Sequence, residues 1–250
     1  MLIEVVSHCY AVKHPLFAGA LQYQLSSLVA YSLQHDKGVK LVATICFCWE
    51  DQITHHVVSW FQENAPSIRV CKMGMSSQEL GRRSIGRNLA AKTTAADIIW
   101  FADVDQVYGN DIFHRLSAMP WPEENGRRAS MVFPRDIMIH RSHQLGDQVL
   151  QHGLDNIGTT CLPDLTEFVP KRYFRAIGGV QIVDGNLARD IGYLDGHRFY
   201  QQPRVDGRVL GDFKDDRAYR GACVKHGPIV QIDLPGVYRM RHTGTSYKGG

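Results

Sequence analysis

The chain has no apolar run of membrane-spanning length. Its longest runs, Leu2–Val6, Leu41–Phe47 and Ile98–Ala102, are the size of β-strands, whereas a spanning helix needs roughly 20 apolar residues. It has no CxxC pair. Cys9, Cys46, Cys48, Cys71, Cys161 and Cys223 are scattered, which argues against a clustered zinc site and for reduced, mostly buried thiols. It lacks a strong charge of either sign: a net charge of +3 is too weak to imply nucleic acid by itself, and it suits a small anionic substrate. No internal repeat and no linker-like stretch marks a domain boundary. Met1-Leu2-Ile3-Glu4 enters a strand pattern directly, without the basic start and longer apolar core of a secretory signal. The expectation is a soluble, cytoplasmic protein.

The first half alternates strand and helix patterns. Strands are read at Leu2–Val6, Val39–Phe47, Ile68–Cys71 and Ile98–Ala102, with helices at Phe17–Gln34, Ile53–Asn64 and Ser84–Ala96 between them. A β-α-β-α-β-α-β order implies an α/β fold with a mostly parallel central sheet flanked by helices. Ligands of such sheets bind beyond the carboxyl ends of the strands. The residues to watch are therefore Ser7 to Tyr10, Trp49 to Asp51, Met73 to Met75 and Asp103 to Asp105. The second half is less regular. Short strands are read at Ser130–Phe133, Val180–Val183 and Ile229–Leu234, helices at Asn186–Ile191 and Arg217–His226, and His140–Thr160 takes no clear pattern.

Asp103-Val104-Asp105 directly follows the apolar strand Ile98–Ala102. Two carboxylates at i and i+2 past a strand end would repel each other and hold their protons more tightly. A divalent cation removes that cost, and hard oxygen ligands suit Mg²⁺ or Mn²⁺. Such a cation bridges phosphates and stabilises a departing nucleoside diphosphate. A bare DxD is a common pattern and equally describes a solvated acidic turn.

Arg82-Arg83-Ser84-Ile85-Gly86-Arg87-Asn88-Leu89-Ala90, taken with Asp97 to Asp105, resembles the core segment of family-2-like glycosyltransferases of the GT-A fold. The resemblance is close from Gly81 to Tyr108 and loose over residues 1–110. It implies a Rossmann-like nucleotide-sugar-binding half, 1–110, and an acceptor-binding and catalytic half, 111–250, of one domain with a smaller irregular acceptor lobe. It further implies that Arg87 approaches the donor, that Asp103 touches the ribose or a metal-bound water, and that Asp105 ligates Mn²⁺ or Mg²⁺. Ser7, Tyr10 and Glu50 or Asp51 would frame base and ribose. Gly178-Gly179 to Asn186 resembles the segment beneath the donor sugar, with Asp184 and Asn186 on its hydroxyls. His242 would complete the metal site, and Arg241 and Lys248 would neutralise phosphate charge.

Asp215 and Asp216 open the helical stretch at 217–226, where inverting GT-A enzymes place a general base. An acidic pair there also serves as a helix cap. The reaction implied is transfer from a nucleoside diphosphate sugar, UDP-sugar by default, to the hydroxyl of a glycan, a small molecule or modified DNA. A nucleotidyltransferase acting on sugar phosphates would use the same carboxylates, but it carries a Gly-rich loop after the first strand, and Ser7 to Val12 has no glycine. A non-catalytic GT-A-like binding module is the third reading.

Overall fold

The computed structural model describes residues 1–35, 38–203 and 214–243. The first half runs β1 (Leu2–Cys9), α1 (Leu16–Gln34), β2 (Lys40–Cys48), α2 (Gln52–Asn64), β3 (Arg69–Met75), α3 (Ser77–Leu80), α4 (Arg83–Thr93) and β4 (Ile98–Ala102). It follows the hydrophobic pattern closely. The second half contributes β5 (Gln106–Tyr108), α5 (Ile112–Ala118), a small hairpin β6 (Glu123–Glu124) and β7 (Arg127–Arg128), β8 (Met131–Pro134), β9 (Asp136–His140), α6 (His143–Asp155), β10 (Phe168–Arg172), β11 (Val180–Asp184), α7 (Gly185–Ile191), a 3-10 turn at Arg198–Gln201, α8 (Lys214–Cys223), β12 (Ile229–Ile232) and β13 (Val237–Arg239).

The central sheet has seven strands in the order β12-β8-β11-β4-β1-β2-β3. β3, β2, β1 and β4 are mutually parallel. β11 runs against β4 and β8, and β12 is parallel to β8, so only β11 opposes the common direction. The sheet is thus mostly parallel, and strands from both halves of the chain complete it. Both of its faces are covered, which is why β1 and β4 read as continuous apolar runs rather than alternating ones. No helix among the described residues is long and apolar enough to cross a membrane. All six cysteines are free thiols.

α1 is buried almost all round, including its polar Gln22, Gln24, Ser26 and Ser27. A helix buried on every side has to give those groups partners. Gln24 Nε2 donates to the Asp103 carbonyl at 3.0 Å, Ser27 Oγ accepts from the Tyr108 amide at 3.1 Å, and Ser26 Oγ accepts from the Cys161 amide at 3.1 Å. Backbone groups just after β4, in β5 and beyond α6 are thereby satisfied by side chains of α1. The stretch 140–160, without a pattern in the sequence, holds α6, which crosses α1 closely. A β-carbon on Gly19 would stand 2.0 Å from the Leu150 carbonyl oxygen, and one on Gly153 would stand 2.7 Å from the Gly19 carbonyl oxygen.

A second sheet, β10-β9-β13-β5, lies past the acidic triplet. β5 continues straight from Asp105, and β13 pairs with it antiparallel, setting Arg239 opposite Gln106. The Met240 amide then donates to the Asp105 carbonyl at 2.9 Å. This register brings the end of the described chain to the strand-end carboxylates.

Candidate active site at the sheet edge

Asp103 and Asp105 stand at the carboxyl end of β4 in a setting rich in arginine. Arg83 Nη1 donates to Asp103 Oδ1 at 2.9 Å, and Arg239 reaches both carboxylates, with Nη2 3.4 Å from Asp103 Oδ2 and Nε 3.1 Å from Asp105 Oδ2. Burial pushes the Asp103 carboxyl upward, but the guanidinium charges of Arg239, Arg83 and Arg87 outweigh it and hold the pKa below the usual carboxylate value. At Asp105 burial dominates, and with Asp103 nearby the pKa is raised despite Arg239. Asp105 Oδ1 is buried and has no hydrogen-bond partner among the described residues.

His242 Nε2 lies 4.0 Å from Asp105 Oδ2, and the imidazole packs edge-on against Phe17 at 5.0 Å between centroids. Burial holds its pKa below 6.5 even with Asp105 beside it, so the ring is neutral at neutral pH, the form that ligates metals. Asp105 and His242 together offer a divalent cation a carboxylate and an imidazole, and an orphaned buried oxygen faces no other partner. Asp103 is tied to Arg83 and Arg239, and Asp105 shares Arg239 through Oδ2, which leaves Oδ1 as its oxygen without a partner among the described residues. Among the described residues no three His, Cys, Asp or Glu side chains converge on one cation position. The fit is to a cation held by one carboxylate and one imidazole and completed by phosphate oxygens; the imidazole is a softer ligand than Mg²⁺ ordinarily takes and argues for a transition-metal ion such as Mn²⁺.

A second layer lies behind this one. Arg87, fully buried, donates from Nη1 to Asp216 Oδ1 at 2.8 Å and to the Tyr193 hydroxyl at 2.9 Å, and from Nη2 to the Gly178 carbonyl at 2.9 Å. The Tyr193 hydroxyl also sits 2.9 Å from Gln181 Oε1 and 3.0 Å from Asp216 Oδ1. Tyr193 is itself stacked on Tyr219 of α8 at 3.9 Å. In this network the Arg87 guanidinium is spent on Asp216, Tyr193 and the Gly178 carbonyl, with Asp103 Oδ1 3.9 Å away, and Asp216 is held by it. Asp215, next along α8, is different. Its Oδ1 is buried without a hydrogen-bond partner among the described residues, and burial, then the neighbouring Asp216, raises its pKa above 3.8.

Gly178-Gly179 sits between the two layers because β11 runs antiparallel to β4, with Val180 opposite Ala102. A β-carbon at Gly178 would stand 2.1 Å from Asp216 Oδ2, and one at Gly179 would stand 2.6 Å from Asp103 Oδ2. The same register carries Asp184 to the opposite edge of the sheet, beside Ile98. There its carboxylate caps α7 and pairs with Arg128 at 2.8 Å, while Asn186 Oδ1 accepts from Arg189 at 2.6 Å. Asp184 and Asn186 are therefore not placed to hold sugar hydroxyls at the Asp103 edge.

The remaining predicted positions divide. Asp51 is consumed structurally: it caps α2 through the Thr54 amide at 3.0 Å and takes the Val12 amide at 3.1 Å. Glu50 is exposed and accepts from the Cys48 thiol at 2.6 Å. Ser7 and Tyr10 are buried, with Tyr10 donating to the Leu80 carbonyl at 3.2 Å. Arg241 is directed into α6, its Nη2 2.8 Å from His143 Nε2, so its charge is engaged away from the carboxylate pair. Lys248 lies outside the described residues. Sequence reasoning missed Arg239 and Tyr193, and it named Trp49 only as a strand-end position. The Trp49 indole lies against Gly74, where a β-carbon would be 2.2 Å from the ring, and leaves 61% of the residue exposed at the end of β2.

The chain matches no model of a protein family, and no curated protein sequence matches it. Solved structures do. The S. aureus TarS structure aligns over 96% of this chain and 60% of its own, with 15% identity and a TM-score of 0.56; TarS in complex with UDP aligns with the same TM-score at 14% identity, over 95% of this chain and 60% of its own. The mannosyltransferase PcManGT from Pyrobaculum calidifontis, in complex with GDP-Man and Mn²⁺, aligns over 95% of this chain and 56% of its own, with 11% identity and a TM-score of 0.50. The chain thus spans under two thirds of the length of these structures. At these identities the likeness establishes the GT-A fold.

Proposed function

We propose that the chain transfers a sugar from a nucleoside diphosphate sugar, UDP-sugar by preference, to an acceptor hydroxyl with inversion, and that Asp215 is the general base. The observation that carries this reading is the division of labour among four carboxylates at one sheet edge. Asp103 is paired with Arg83 and Arg239, Asp216 with Arg87 and Asp105 with Arg239 through one oxygen, while Asp105 and Asp215 each keep an oxygen without a hydrogen-bond partner among the described residues. A raised pKa and an oxygen not already engaged by a donor suit a general base. Asp215 removes the acceptor's hydroxyl proton as that oxygen attacks the anomeric carbon. The bond from that carbon to the diphosphate breaks, and the electron pair leaves with the phosphate. Arg83 and Arg239 lie where their guanidinium groups can meet the charge that develops there. Trp49 beside Glu50 offers a flat face for the base. A divalent cation held by Asp105 and His242 would supply further charge neutralisation for the departing phosphates.

The test is a donor screen by thermal shift with UDP-, GDP- and TDP-sugars in the presence of Mn²⁺, followed by mass detection of transfer or donor hydrolysis. Asp105→Ala is expected to abolish transfer and metal-dependent nucleotide binding while the fold survives. Full activity of that variant with metal chelated would overturn the proposal. Nucleotide binding without transfer or hydrolysis from any donor would leave a binding module in place of an enzyme.

A further inference from the structure

A groove of about 530 Å³ opens beside α8, and the reaction described above makes no use of it. Phe133, Phe174, Arg175, Arg217, Arg220 and Val224 are among its lining residues. Three arginines share this small space, and no carboxylate among the described residues forms a salt bridge with any of them. Burial lowers the Arg220 pKa, and Arg175 and Arg217 lower it further against the pull of Asp216. The cations therefore repel each other inside the groove, and an anion entering it relieves that repulsion. Phe174 stands at the same place with 84% of its surface exposed, so its ring is available for contact.

We propose that this groove docks a single-stranded stretch of nucleic acid, and that this strand is the acceptor. Three arginines in a groove are suited to a phosphodiester backbone, and an exposed phenyl ring beside them is suited to stacking an unpaired base; this combination recurs in single-strand binding. A purely anionic chain would leave Phe174 idle. An apolar protein surface would strip water from three guanidinium groups that form no salt bridge among the described residues, of which Arg220 donates to the Ala176 carbonyl at 2.5 Å. The placement also serves the chemistry. Arg217, Arg220 and Val224 line the groove from α8, whose first turn carries Asp215 and Asp216. Arg217 and Arg220 follow Asp215 by two and five residues, about 3 and 8 Å along the helix axis, and project from the other side of α8, so a strand lying in the groove reaches the base by rounding the first turn of that helix. The identification of the strand as acceptor rests on the glycosyl-transfer reading; the binding itself does not.

The experiment is fluorescence polarisation of fluorescein-labelled oligothymidylate with the intact chain, as a function of salt. Expected is binding that weakens steeply with salt. Arg175→Gln and Arg217→Gln should each weaken it and flatten the salt dependence by about one ion. Phe174→Ala should weaken it by about 5- to 100-fold. All three side chains are exposed, and unchanged thermal melting checks that the variants fold. No binding at low salt would overturn the proposal. So would equal competition by inorganic polyphosphate together with an unaffected Phe174→Ala, which would make the groove a general polyanion site. Preference for duplex over single strand would also overturn it. UDP titration calorimetry on the same samples separates the two proposals: oligonucleotide binding without UDP binding removes the donor reading and keeps the groove, and UDP binding without oligonucleotide binding does the reverse.

Discussion

Arg87 and Asp216 are 129 residues apart in the chain and 2.8 Å apart in the fold. The contact joins α4, which precedes the acidic triplet, to α8, which carries the proposed base. Both side chains are buried, so each neutralises a charge that the other could not leave exposed to a low dielectric alone. Removing one partner strands the other, at a typical cost of about 3–5 kcal/mol. Asp216→Ala and Arg87→Met should each lose that much in urea unfolding. The double variant should lose clearly less than their sum, because the second substitution removes a stranded charge. Arg87→Lys should not rescue, since one ammonium cannot serve Asp216, Tyr193 and the Gly178 carbonyl together.

Asp215→Asn separates function from stability. If Asp215 is the base, transfer falls by about 100- to 10,000-fold. Stability should move the other way. The folded-state pKa of Asp215 is raised above 3.8, so the folded state binds this proton more tightly than the unfolded chain does. The resulting stabilisation is present at low pH and is lost as pH rises through the folded pKa. Above that folded pKa the buried, ionised carboxylate costs stability, and there its neutral isostere should melt higher than wild type. The pH–rate profile of the wild type should likewise rise through a pKa above 3.8 on its acid side.

Much of the first half was legible because its signals are local. Four apolar strands, helical patterns between them and Asp103-Val104-Asp105 after the last strand fix a parallel sheet and its binding edge without long-range information. The second half is written in contacts instead. α6 carries Gly146 and Gly153, which lower helix propensity. Their reason is steric, since a β-carbon at Gly146 would lie 1.6 Å from the Arg241 carbonyl oxygen. Arg239 reaches the site only through the β13–β5 register, and nothing in Val237-Tyr238-Arg239 announces that pairing. Asp184 was misplaced for a related reason. An antiparallel β11 reverses which end of the strand meets the site, and periodicity carries no strand direction.

Gly178→Ala and Gly179→Ala probe the seam between the two layers. At Gly178 an added methyl meets the Asp216 carboxylate, which Arg87 holds in place, and at Gly179 it meets Asp103 and the Gln106 amide, 2.7 Å away. Neither obstacle is the loose end of an exposed chain. Overpacking of this kind typically costs about 1–3 kcal/mol. Both variants should lose stability in that range. Gly179→Ala should in addition weaken nucleotide binding in calorimetry by displacing Asp103.

Arg239 makes the sharpest prediction about cations. Its guanidinium lies between Asp103 and Asp105, on the side of Asp105 that faces His242. A divalent cation held by Asp105 and His242 must tolerate that positive charge or displace it. Arg239→Ala should therefore bind Mn²⁺ more tightly than wild type in the absence of nucleotide, as read by the loss of the free-ion paramagnetic resonance signal. Nucleotide diphosphate binding should respond in the opposite direction, because the variant lacks one of the two arginines proposed to meet the phosphates. Arg239→Lys keeps the charge but not the fork that reaches both carboxylates, and it should fall between the two. If Arg239→Ala bound Mn²⁺ no better than wild type while Asp105→Ala removed binding altogether, the guanidinium and the cation would not share a seat, and Arg239 would be left with the phosphates alone.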